Sequence, residues 1–318
     1  MNRFLLIMLL GGLLLIGCAG PNPNPIDTSG SIYFEHRSAV FKMQAPGKWS
    51  QVQDSAPTEA VGVFTDPTGR ASLIGYAGLL ERRLPGEEGL TAVGRLGQTL
   101  LRSPSEYEAR GHVRESDGVF EVTFTFTRDD QKFAGKAVFR DTDLALSGVI
   151  ISGPEQGWAD LEKRLTPYVD LFRIDPTIVQ GSYFTPLEGD YYALAVPIDW
   201  TIQQQANGAE VRSRNGRMSI LLLQHDLGAP IDPAALADQA TTSLRQTFQL
   251  TTKLVGSEPA SAGRLKVTLN QSDNRVIGYV EQFDTHIVGL FFKIPADRAA
   301  DYQPFMDFVY STYISGLP

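Results

Sequence analysis

The chain has 318 residues, 42% apolar, 20% charged and 10% aromatic, with 30 Gly, 19 Pro and a single Cys. That length suggests two domains, each able to bury a core, and the composition excludes disordered, collagen-like and polytopic membrane chains. One cysteine makes no internal disulfide, and a net charge of −8 opposes phosphate backbones and anionic lipid surfaces, so no nucleic-acid partner is expected.

Arg3 gives the N-terminus a positive start, and Phe4 to Ile16 is an unbroken apolar or glycine run. The run is shorter than the ~20 residues of a transmembrane helix, so residues 1–17 read as a secretory signal. It ends in Leu15-Ile16-Gly17-Cys18, which resembles the lipobox of bacterial lipoproteins. The resemblance implies cleavage before Cys18, a diacylglycerol on its sulfur and an acyl chain on its freed amino group. No cofactor or metal beyond this covalent lipid is expected. Two or three acyl chains anchor a protein stably where one is marginal, so the lipid bilayer is the first expected partner. Ala19, by resemblance to enteric lipoproteins, implies an outer membrane facing the periplasm if the cell is Gram-negative. Pro21-Asn22-Pro23-Asn24-Pro25 and the turn formers up to Gly30 make residues 18–30 an expected extended tether.

Beyond the tether the chain repeats itself. Residues 31–175 and 182–318 read as two copies of one unit, joined by a linker at 176–181. Ala45-Pro46-Gly47-Lys48-Trp49 answers to Val196-Pro197-Ile198-Asp199-Trp200, and Gly69-Arg70 to Gly216-Arg217. Phe120, Val122 and Phe124 answer to Leu265, Val267 and Leu269. Asp141-Thr142 answers to Asp284-Thr285, and Pro167-Tyr168 to Pro304-Phe305. The offset shrinks steadily along the chain, as it should if only loops were shortened.

Within each copy the periods are legible. Phe120, Val122, Phe124 and Phe126 alternate with polar residues, which predicts a half-buried strand. Further strands are expected over 134–140 and 144–151, and over 262–270, 275–283 and 286–294. Leu90, Val93, Leu96 and Leu100 share one helical face. The counterpart helix starts at the N-cap pair Asp232-Pro233. Trp158, Leu161, Leu165, Tyr168 and Phe172 predict a closing helix, kinked or restarted at Pro167; Tyr302, Phe305 and Val309 repeat the register. Each half is therefore expected to run β-β-β-α-β-β-β-β-α, an α+β fold with a largely antiparallel sheet covered by helices. That order, with an A/V-P-x-x-W element after the first strand, resembles the PsbP-like superfamily of α/β/α sandwiches, including DcrB- and LpqN-type bacterial lipoproteins. The resemblance implies tandem domains that bind other proteins, with Trp49 and Trp200 as structural residues packed at the sheet edge. It carries no catalytic residues.

The residues themselves give no enzymatic constellation: Gly-x-Ser-x-Gly, a Walker loop and His-Glu-x-x-His are all missing. His36, His112, His225 and His286 are expected at solvated positions. Asp141 and Asp284 are expected to bond their own hairpin turns. The charged loop 78–89 offers Arg82 and Arg83 as candidate partner contacts, and Phe308 and Tyr310 are candidates for an exposed apolar patch. The expectation is a membrane-anchored envelope lipoprotein that binds an envelope protein without catalysis. A small-molecule or lipid ligand in a cleft between or within the domains is the alternative.

Overall fold

The computed structural model describes residues 25–114, 118–142 and 144–316. Leu15, Ile16, Gly17 and Cys18 lie outside the described residues, as does most of the expected tether. In the first half the strands are β1 (Ile32–Glu35), β2 (Phe41–Ala45), β3 (Ser50–Ala56), β4 (Glu59–Thr65) and β5 (Ser72–Leu79), followed by helix α1 (Gly86–Leu100). Then come β6 (Ser105–Arg114), β7 (Val119–Arg128), β8 (Gln131–Thr142), β9 (Ala145–Pro154), α2 (Trp158–Asp170) and β10 (Arg173–Ile174). The second half runs α3 (Pro176–Tyr183), β11 (Phe184–Glu188), β12 (Tyr192–Pro197), β13 (Thr201–Gln205), β14 (Gly208–Arg212) and β15 (Ser219–Asp226). It closes with α4 (Leu236–Phe248), β16 (Lys253–Pro259), β17 (Leu265–Gln271), β18 (Asn274–Phe283), β19 (His286–Pro295), α5 (Gln303–Thr312) and β20 (Ile314–Ser315).

Each half holds a seven-stranded antiparallel sheet and a three-stranded one. The large sheets are ordered β3-β4-β5-β9-β8-β7-β6 and β13-β14-β15-β19-β18-β17-β16; the small ones are β1-β2-β10 and β11-β12-β20. The orders correspond strand for strand. The turns do too, for Trp49 N donates to Pro46 O and Trp200 N to Pro197 O, each at 3.2 Å. Five strands, rather than the expected three, precede α1 in the first half and α4 in the second. The small sheets escaped the sequence because strands such as Arg173–Ile174 are too short to show a period.

Helix α1 covers one face of the first large sheet, burying Val93 against Phe120, Val122 and Phe124; α4 does the same in the second half through Ala240 and Leu244. The opposite faces share a single core. Phe41, Trp49, Phe64 and Leu165 of the first half belong to one buried cluster with Trp200, Phe292, Phe305 and Val309 of the second. The segment expected as a linker takes part: Asp175 caps α3 by accepting from Thr177 N at 3.0 Å, and Pro176 opens the helix. Tyr183 at its end is buried and donates to Ala77 O at 2.9 Å. The halves are thus joined by packing as well as by chain. Pro167 stays inside a single helix α2, where it gives up one backbone bond near the end, whereas Pro304 starts α5 after a 3-10 turn.

Two expectations about polar residues are corrected. Asp141 Oδ2 accepts from Leu84 N at 2.7 Å, so this carboxylate holds the charged loop as well as bordering a hairpin. His36 is 1% exposed instead of solvated, with its ring 5.2 Å from that of Phe41. Its Nδ1 accepts from Ser38 N at 3.2 Å, which leaves the proton on Nε2 to be donated to Asp54 O at 2.9 Å. Burial is the main force that pushes this imidazole below its ordinary pKa. Above pH ~6.5 the ring is neutral folded or unfolded; below that the unfolded chain takes up a proton that the fold refuses. Stability is therefore expected to fall as the pH drops below about 6.5. Urea midpoints at neutral and mildly acidic pH should show that loss in the native chain and a smaller one in His36→Gln.

Candidate binding edge at the junction of the two halves

The charged loop is built into the junction. Arg82 pairs with Glu88 in the first turn of α1, and Arg298 reaches the same carboxylate at 2.6 Å. The hydrogen bond from Arg82 is the largest reason that the Glu88 carboxyl is held down at about 2. Arg83 N donates to Asp301 O at 2.8 Å. Of the two arginines offered as partner contacts, Arg82 is thus largely covered by these ion pairs, while Arg83 is exposed.

Beside this network lies a cleft of about 440 Å³ lined by Thr58, Glu81, Asp199, Trp200, Arg214 and Arg217 among others. Thr58 Oγ1 donates to Asp199 Oδ2 at 3.1 Å, and Asn215 Nδ2 donates to Glu81 Oε2 at 3.1 Å. Both bonds cross between the halves. Burial raises the Glu81 carboxyl above the usual carboxylate range, the Asp199 charge adds to the shift, and the donors Asn215 and Trp200 and the Arg82 charge oppose it. Arg214 and Arg217 stand on the hairpin between β14 and β15 and are exposed. Neither guanidinium has a hydrogen-bond or ion-pair partner among the described residues.

Trp200, the last residue of the second half before the edge strand β13, lines the cleft. Sheet edges invite pairing with other chains unless something blunts them. Three of the four large-sheet edges are blunted. Strands β6 and β16 each carry a register shift, between Ser105 and Glu108 and between Leu254 and Gly256. Strand β3 is capped by the loop after β1, where His36 donates to Asp54 O and Arg37 N donates to Gln53 Oε1 at 2.9 Å. Strand β13, Thr-Ile-Gln-Gln-Gln, pairs with β14 in unbroken register and has no bulge, charge or proline. Ile198 and Ile202 beside it are 40% and 42% exposed.

Trp49 and Trp200 sit immediately before the edge strands β3 and β13. The Trp49 indole donates to Asp27 O at 2.8 Å, and Trp200 stacks 5.3 Å from Phe305. Phe308 and Tyr310 are half-buried: Phe308 meets Phe184 edge-on at 4.6 Å, and Tyr310 stacks on Tyr279 at 3.8 Å. His112 Nε2 lies 3.9 Å from Glu121, and His286 packs 4.4 Å from the Tyr191 ring. His225 Nδ1 is buried without a partner. Among the described residues no three His, Cys, Asp or Glu side chains gather around a metal-sized space. Ile198, Ile202, Arg214 and Arg217 are the exposed residues at this edge that the sequence reading did not single out, although the Trp200 motif lay beside them.

The sequence matches no protein-family model and no curated protein. Among solved structures the chain aligns with the cyanobacterial PsbP (CyanoP) of Synechocystis at 11% identity, over 42% of this chain and 92% of that one, with a TM-score of 0.33. A Bacteroides thetaiotaomicron protein aligns over 86% of this chain and 98% of its own, at 11% identity and a TM-score of 0.29. The T6SS immunity protein TplEi of Pseudomonas aeruginosa, complexed with an "L" peptide, aligns over 91% of this chain and 99% of its own, at 11% identity and a TM-score of 0.21.

Proposed function

We propose that this chain is an envelope lipoprotein, anchored through Cys18, whose two PsbP-like copies act without catalysis as one rigid module that binds another envelope protein. The observation that carries the reading is the open, uncharged edge of β13, flanked by Ile198, Ile202 and the unpaired guanidiniums of Arg214 and Arg217. An extended partner segment would add to that edge through backbone hydrogen bonds, with apolar side chains on the isoleucines and a carboxylate toward the arginines. The corresponding edge of the first copy, at β3, is closed by His36 and Arg37, so the two copies have divided the work.

A photo-crosslinking residue placed at Ile202 in the lipidated, full-length protein in its native membrane should capture one envelope protein. The same residue at Val255, on the bulged edge β16, should capture none. Adducts at neither position would sink the protein-binding reading and turn attention to a small ligand in the cleft.

A further inference from the structure

The chain joins the fold early. Ile26 is buried, Arg164 donates to its carbonyl at 2.8 Å, and Lys48 pairs with Asp27 at 2.8 Å. Tyr168 holds the next residues by donating to Thr28 O at 3.1 Å and Gly30 O at 2.9 Å. The segment expected as an extended tether up to Gly30 is therefore bound from Ile26 onward. Only seven residues separate Ile26 from Cys18, a span of at most about 28 Å over eight Cα–Cα steps even when fully extended. Whatever surface surrounds this junction stays close to a bilayer that holds Cys18.

The chain runs from this junction straight into β1 at Ile32, so the outer face of β1-β2-β10 is among the nearest surfaces to the anchor. Phe34 points inward, 5.0 Å from Phe64, and Phe172 meets Phe41 at 5.2 Å, so their neighbours Tyr33 and Leu171 face outward at 65% and 43% exposed. Lys42 lies between them on β2, 3.5 Å from the Glu35 carboxylate on one side, and Arg173 on the other side donates to Asp170 O and Phe172 O at 2.6 Å, so both cations stay on this face beside one acid. The second copy supplies an internal comparison. Matching Ala45-Pro46 to Val196-Pro197 and following both registers sets Tyr33 against Pro186, Lys42 against Ala193 and Arg173 against Ile314. The aromatic ring and the two cations occur only on the copy next to the anchor. The chain's net charge of −8 argues against a lipid surface in general, but lipid attraction acts within a Debye length of the headgroups and so depends on this face alone.

We propose that the outer face of β1-β2-β10 rests on the headgroups of the membrane that Cys18 enters, with Tyr33 and Leu171 at the interface and Lys42 and Arg173 facing anionic phosphates. This rests on the lipoprotein reading. It fixes the orientation of the module on the membrane.

Cys18 is the chain's only cysteine, so once it is acylated a newly introduced cysteine is the only free thiol. Lipidated, full-length Tyr33→Cys, Leu171→Cys and Val255→Cys proteins would each carry an environment-sensitive fluorophore. They would be reconstituted in phosphatidylethanolamine vesicles containing phosphatidylglycerol and headgroup-depth spin-labelled lipid. Quenching at positions 33 and 171 should exceed that at 255 by about threefold or more, and Lys42→Glu with Arg173→Glu should bring it down toward the value at 255. Equal quenching at all three positions in protein that floats with the vesicles would overturn the docking and leave the anchor standing. Protein that fails to float would remove the anchor reading, and the docking with it.

Discussion

Trp200→Ala is expected to lower stability by about 3–5 kcal/mol and to weaken both halves together. The indole is buried, stacked 5.3 Å from Phe305 at 16°, and belongs to the core that also holds Phe41, Trp49 and Phe64. Truncation leaves a cavity where the two copies meet, and neighbours in a closely packed interior relax into it only partly. The three tryptophans make the test specific. With Trp200 gone, Trp49 and Trp158 remain, both in the first half, so tryptophan fluorescence then reports that half alone. Its urea midpoint should fall with the midpoint read by far-ultraviolet circular dichroism. If the fluorescence midpoint held still while the dichroism transition split, the copies would be independent and the shared core would not couple them.

What the sequence showed followed from its periods. Alternation over Phe120 to Phe126 and over 275–283 placed β7 and β18, and the apolar spacing of Leu90 to Leu100 placed α1. The Asp232-Pro233 start was legible as well: Asp232 accepts from Ala234 N at 2.8 Å. The same pairing at Asp175-Pro176 went unread, because it stood where a linker was expected between two copies. The shared core was hidden for a different reason. A fully buried strand such as Ala145–Pro154 is apolar on both faces, so its pattern does not say which face meets a helix and which meets another copy. The candidate edge was the least visible part. Ile202 among glutamines has no apolar period, and an edge strand is defined by the neighbour it lacks. The charged loop misled in the opposite direction. Arg82 read as a partner contact, and it is satisfied within the molecule by Glu88, which also pairs with Arg298.

Gly208→Ala is expected to cost about 3 kcal/mol or more and to loosen the candidate binding edge in particular. Gly208 opens β14, opposite Gln205 of β13 and Leu223 of β15, so it ties the edge strand to the body of the sheet. Its φ of +145° is a conformation that side chains rarely adopt, and a methyl group there would lie 1.7 Å from the Leu222 carbonyl oxygen. That contact is with backbone, so the neighbour cannot rotate away, and β14 must shift off β15. Gly216 is the control: its φ is +70° and a methyl group would meet nothing within 4 Å, so alanine there should cost only about 1–2 kcal/mol of backbone strain. Urea midpoints of the two variants should separate accordingly, and hydrogen exchange should accelerate over residues 201–212 in Gly208→Ala alone. If exchange there rises and capture of a partner at Ile202 is lost while the protein stays folded, the binding edge depends on the close seating of β14. Similar midpoints for the two variants would mean that β14 can yield at little cost, and the rigid edge proposed for partner binding would lose its physical basis.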